Sequence, residues 1–369
     1  MQNQKRKSKV LKIFLLIFVL WTWVITISPV SAQSKIGQVC PKLLKESTFD
    51  GTAIICTKIN GKLTWQIDTF KQLVATWKEV KSRAAATKSS ELPVELMYSP
   101  TVNKTLASKL SNSVMEAAQF WQDPSFSQES SIIIFITEKD RSWFKSQLEA
   151  IGVREDCVTN KLKQFDDEVE WNGNKVNAAG FNGCGGVFWF EFYVGSKLIN
   201  IDLKVAAHEY THLAQFKLLS NSGLDYTPCW FHEGGADFYG MVLGAKTIND
   251  LKQLRKMQVW ERYKLNFAGM AYEVKGGWER FLEVNGPRIE NTKFDSDCGI
   301  NGSYPVGAVA TQYLFQLGGD KKIRTLMQEI GRTQNYRSAI MSIYGIPWTE
   351  LKNDIASYIR LVVAQTPQS

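Results

Sequence analysis

Histidine occurs only three times in 369 residues, at His208, His212 and His232. Any imidazole-based site must be built from these positions. Acidic residues are missing altogether from positions 1–32, where Lys5, Arg6, Lys7, Lys9 and Lys12 crowd the first twelve. Without those five, 39 of the 44 basic residues face 36 acidic ones, so the formal charge of +8 falls to +3. That balance excludes the basic footprint of a nucleic-acid binder. No Cys-x-x-Cys pair is present, which weighs against a thiolate metal site. No apolar run after the first thirty residues approaches the ~20 residues of a membrane span. Internal repeats and low-complexity tracts are also lacking. Hydrophobic content of 44% with 22% charged residues instead gives a globular chain with a sizeable core.

The first segment reads as an export signal. The basic stretch is followed by a 15-residue apolar run, Ile13 to Ile27, and then by Val30-Ser31-Ala32, small residues of the kind a signal peptidase reads. Cleavage is expected after Ala32, giving a secreted or cell-surface protein. The alternative is an uncleaved anchor, because Val10 and Leu11 could lengthen the run. Either way the remaining chain lies outside the cytoplasm. Six cysteines in an exported chain read as up to three disulfides. Proximity and the position of the motifs favour Cys40–Cys56, Cys157–Cys184 and Cys229–Cys298, the alternative being that some stay as buried thiols.

Five segments follow along the chain: a signal peptide at 1–32, a small unit at 33–67, a helix and linker at 68–91, a core at 92–245 and a mainly helical part at 246–366. In the small unit, Thr52–Lys58 is rich in β-branched residues and Asn60-Gly61 signals a hairpin. It resembles small Cys-Cys-Trp modules appended to exported bacterial proteins, which suggests cell-surface association. Ile67, Phe70, Val74 and Trp77 fall at helical spacing, and Ala84–Ser90 is small and polar. Strands are expected at Val94–Tyr98, Ile132–Thr137 and Val187–Val194, and helices at Val102–Trp121, Trp143–Ile151, Leu198–Leu219 and Trp230–Leu243. The fold class is therefore α+β.

Chemistry concentrates in His208-Glu209-Tyr210-Thr211-His212. Residues four apart share a helix face, so the two imidazoles can grip one ion. Glu209 adjoins the first of them and can reach a water on that ion without occupying a ligand position. A catalytic zinc takes three protein ligands and keeps one position open. The third ligand is expected from Trp230-Phe231-His232-Glu233-Gly234-Gly235-Ala236-Asp237, whose Glu233 follows His212 by 21 residues. Asp237, one turn further, suits a hydrogen bond to a ligand imidazole. His232 is the rival third ligand. Neighbouring helical residues point ~100° apart, so both cannot face the ion easily.

These two segments resemble those of the gluzincin peptidases, the zincin-like group that includes the thermolysin-like enzymes and the aminopeptidase N family. The resemblance covers roughly residues 92–320 and is specific at the motifs. It implies Zn2+ held by His208, His212 and Glu233, Glu209 as general base, and Asp237 as the acidic residue behind a ligand. Tyr304, in Tyr304-Pro305-Val306-Gly307-Ala308, matches a Tyr-x-x-Gly-Ala segment whose tyrosine stabilises the oxyanion. The alternative for Tyr304 is a residue of an apolar helix. Val187, Phe188 and Trp189 match the place of an edge strand that pairs with substrate backbone, the alternative being an ordinary core strand. A Gly-x-Met-Glu-Asn segment, which in aminopeptidase N relatives binds the free amine, is replaced by Gly183-Cys184-Gly185-Gly186. That favours cleavage within a peptide or protein substrate. The competing functions are an inactive zinc-binding surface module and a zinc hydrolase of a non-peptide substrate.

Overall fold

The computed structural model describes residues 36–87, 94–122, 131–172, 178–195, 200–261, 276–290, 298 and 302–367. The expected signal segment and its cleavage position lie outside them. The described chain forms two compact units, one ending at Asp68 and one beginning at Thr69.

The first unit is a three-stranded antiparallel sheet in the order β1 (Glu46–Phe49), β2 (Thr52–Ile59), β3 (Lys62–Ile67). Asn60 and Gly61 both take positive φ, 48° and 81°, the combination a two-residue hairpin turn between right-twisted strands needs. Ile54, Trp65 and the Cys40–Cys56 disulfide form its small core. A sheet this small buries little apolar surface, and the cross-link compensates by restricting the unfolded chain.

The second unit is mixed. In chain order its elements are α1 (Thr69–Ala86), β4 (Val94–Tyr98), α2 (Lys104–Trp121), β5 (Ser131–Ile136), α3 (Arg141–Ala150), α4 (Glu155–Asn172), β6 (Ala178–Cys184) and β7 (Val187–Tyr193). Then come α5 (Asn200–Gly223), α6 (Cys229–Gly244), α7 (Ile248–Lys256), α8 (Gly277–Val284), α9 (Ser303–Thr333), α10 (Tyr336–Tyr344) and α11 (Trp348–Gln365). The expected strands and helices appear with ends shifted by a few residues. Helix α4 and strand β6 were not expected.

The sheet runs β4-β5-β7-β6, with β4, β5 and β7 parallel and β6 antiparallel to β7. Both faces are covered, which explains why β5 and β7 are nearly continuous apolar runs. Ile133, Phe135, Phe190 and Phe192 pack with Ala206 and Leu213 of α5 and with Leu110 and Val114 of α2. Ile134, Ile136 and Trp189 pack on the opposite side with Phe144, Leu148, Val158, Leu162 and Phe165 of α3 and α4. Glu191 is buried on that second face against Lys161, and Trp189 donates to it at 3.1 Å. Cys157–Cys184 ties α4 to the end of β6, and Cys229–Cys298 anchors the start of α6. All six cysteines are paired as expected.

The largest core joins α6 to α5, α9 and α11. Every residue of α6 except His232 is buried, so this helix is covered all round and is largely apolar apart from Glu233 and Asp237. No helix among the described residues is long and apolar enough to cross a membrane.

Candidate metal centre

Helix α5 carries His208 and His212 on the face turned away from the sheet, because Ala206, Tyr210 and Leu213 occupy the sheet side. Trp121 of α2 donates its indole N–H to Thr211 Oγ1 at 3.1 Å, and Thr211 Oγ1 donates to Ala207 O, fixing the rotation of α5. Helix α6 crosses α5 closely at glycines. A Cβ on Gly240 would lie 2.7 Å from Lys204 O and 3.0 Å from His208 Cβ. Helix α9 meets α6 in the same manner, since a Cβ on Gly234 or on Gly307 would drive into the backbone of the other helix. This contact gives the glycine of the Tyr304–Ala308 segment a physical reason. It brings the Tyr304 ring to 5.7 Å from that of His208, nearly parallel at 15°.

Three donor groups converge at this crossing. One atom each of His208, His212 and Glu233 lies within 4.8 Å of the other two. His208 Nε2 and His212 Nε2 are 3.0 Å apart, and Glu233 Oε2 lies 3.3 Å from His212 Nε2 and 3.6 Å from His208 Nε2. Ligand bonds of ~2.0–2.1 Å in a tetrahedral site place donor atoms roughly 3.3–3.4 Å apart. The three separations bracket that value, so this donor set fits a zinc-sized ion. Gln215 selects the tautomer of His212. Its Nε2 donates to His232 O at 2.7 Å, which leaves Oε1 to accept from His212 Nδ1 at 2.8 Å. The Nε2 lone pair of a neutral His212 then points into the cluster.

The electrostatics are those of a charged, enclosed group. Burial works to lower the His212 pKa, but Glu233, Glu209 and Gln215 overcome it and push it up to about 9. Burial likewise opposes ionisation of Glu233, yet His212 and the hydrogen bonds of the three histidines hold its carboxyl well below the usual range. Asp237 is fully buried and sits behind His208, with Oδ1 3.3 Å from Nδ1. It also pairs with Lys204 at 2.6 Å and accepts from Gln258 Nε2 at 3.4 Å.

Most residues expected from the sequence meet here: His208, His212, Glu233, Asp237 and Tyr304, with half-buried Glu209 beside His208 on α5. His232 does not belong to the three-donor group. Its Nδ1 lies 3.3 Å from Glu233 Oε1, whereas His208 and His212 approach Oε2, and burial pushes its pKa down. Of Val187, Phe188 and Trp189, Trp189 is paired on both sides, whereas Val187 and Phe188 pair with β6 alone. Strand β7 is hydrogen-bonded to β6 along Val187–Tyr193 and to β5 from Trp189 to Tyr193, so its backbone is enclosed on both sides from Trp189 onward. Trp189 also faces away from α5, whereas Phe188 packs on Phe216 of α5 at 4.7 Å. The outer strand on that side is β6.

Two contributors, Lys204 and Gln215, were missed. Both lie on the metal face of α5, Lys204 one turn before His208 and Gln215 three residues after His212. Helical spacing alone could have found them. No family model, curated protein or solved structure matches the chain.

Proposed function

We propose that the chain is a zinc-dependent peptidase of the gluzincin type, cleaving within peptide or protein substrates. The reading rests on one observation above others, the convergence of His208, His212 and Glu233 within 4.8 Å next to Glu209. A catalytic acid–base residue beside such a group is not needed by a purely structural ion. Zn2+ bound there supplies Lewis acidity, polarising a carbonyl and making a water more acidic.

The protein's own residues do the rest. Glu209 takes the proton of the attacking water and passes it to the departing amine. Tyr304 donates its hydroxyl to the oxygen that gains charge when the carbonyl is attacked. Gln215 fixes the ring orientation of His212, and the Asp237 carboxylate stands behind the ring of His208. The outer edge of β6, beside the start of β7, receives substrate backbone. Three disulfides suit the oxidising setting of an exported protein.

The test is Glu209→Gln, which is nearly isosteric. It is expected to keep one zinc per chain and to lower hydrolysis of a peptide library by ~10²–10⁴-fold. Hydrolysis at the wild-type rate would refute the assignment.

A further inference from the structure

Lys204 is buried beside a group that it does not itself join. Its side chain is 5% exposed and its ammonium lies 2.6 Å from Asp237 Oδ1. The same oxygen faces His208 Nδ1 at 3.3 Å. That approach is not a hydrogen bond, and among the described residues no partner satisfies His208 Nδ1. Lys204 and His208 therefore share one oxygen, and Lys204 lies closer to it. Asp237 Oδ2 is turned toward Gln258 at 3.4 Å. The lysine has little room to withdraw. A Cβ on Gly240 would come within 2.7 Å of Lys204 O, and one on Gly244 within 2.7 Å of Lys204 Cα, so α6 clamps this turn of α5 at both glycines.

We propose that Lys204 is a positioning residue that keeps Asp237 from accepting a full hydrogen bond from His208 and so makes His208 a poorer donor to the metal. The proposal rests on the zinc reading of the site. A carboxylate behind a ligand imidazole raises the basicity of that ligand and tightens its hold on the ion. An ammonium on the same carboxylate oxygen opposes this twice. It neutralises the charge of the shared oxygen and so makes it a weaker acceptor, and it adds positive charge near a cation. The ion is then held less tightly and stays more electrophilic toward a carbonyl.

The experiment measures zinc affinity by chelator competition on the full chain, for wild type, Lys204→Met, Lys204→Arg and Lys204→Met/Asp237→Asn. Lys204→Met frees Oδ1 for His208 and is expected to bind zinc about tenfold more tightly, within the ~10–100-fold range of such outer contacts. Lys204→Arg retains the cation and should stay close to wild type. The double variant has no carboxylate to release, and the gain should vanish. Affinity of Lys204→Met equal to or weaker than wild type would overturn the proposal. A measurement on the wild-type chain guards against a variant that does not fold. In the zinc-loaded protein, the Nδ1 proton of His208 should resonate no further downfield than that of His212, which donates to a neutral amide. A strongly deshielded His208 proton would overturn the proposal as well. If wild type binds no zinc, the reading of the site itself fails. Zinc binding by wild type without a gain in Lys204→Met removes the Lys204 role alone.

Discussion

Lys204 and Lys161 each hold a carboxylate out of water, Asp237 in one case and Glu191 in the other, with side-chain exposures of 5% and 0% against 7% and 3%. The two pairs lie on opposite sides of the sheet. Asp237 faces a histidine of the three-donor group, while Glu191 faces Trp189 and Tyr193 in an apolar core. A buried ion pair is thus no sign of function by itself. What its carboxylate touches next decides whether it can act on chemistry or only on stability.

Breaking the Lys161 pair should have the largest effect, and on folding alone. Lys161→Met leaves a buried carboxylate without its cation, which costs about 3–5 kcal/mol. Burial already pushes the Glu191 pKa up even with Lys161 beside it. A carboxyl whose folded pKa is raised favours the folded state while protonated and loses that contribution as pH rises. The deficit measured by denaturant unfolding should therefore shrink as the pH falls from 7, with zinc affinity equal to that of wild type at each pH. A deficit that grows on acidification would contradict this account of Glu191.

Asp237→Asn should act on the metal instead. It removes the carboxylate behind His208 and should lower zinc affinity by ~10–100-fold, opposite in sign to Lys204→Met. An affinity of Asp237→Asn equal to that of Lys161→Met would erase the distinction between the pairs. The smallest effect is expected in the first unit, far from either pair in sequence. Gly61→Ala forces a side chain into left-handed backbone and should cost about 1 kcal/mol, without changing zinc binding.

The candidate metal centre was readable because its parts are local in sequence. His208 and His212 are one turn apart, and Glu233 and Asp237 are one turn apart on the next helix. What had to be inferred was only that the two helices meet, and the glycines of α6 and α9 show how they do so. The sheet was less readable. Strand β6, Ala178–Cys184, contains two glycines and an asparagine, poor strand formers, and exists because β7 pairs with it. Whether β7 is an edge or an inner strand depends on that partner and not on its own residues. Helix α4 did carry a legible stripe in Val158, Leu162 and Phe165, with Glu155 and Asp156 in its first turn. The sharing of Asp237 Oδ1 could not be read, because it depends on distances between side chains of two helices.

Metal content of the purified chain tests the centre most directly, measured for wild type, Glu233→Ala and His232→Ala. The account predicts one zinc per chain in wild type, loss in Glu233→Ala and retention in His232→Ala. Zinc retained without Glu233 and lost without His232 would contradict it.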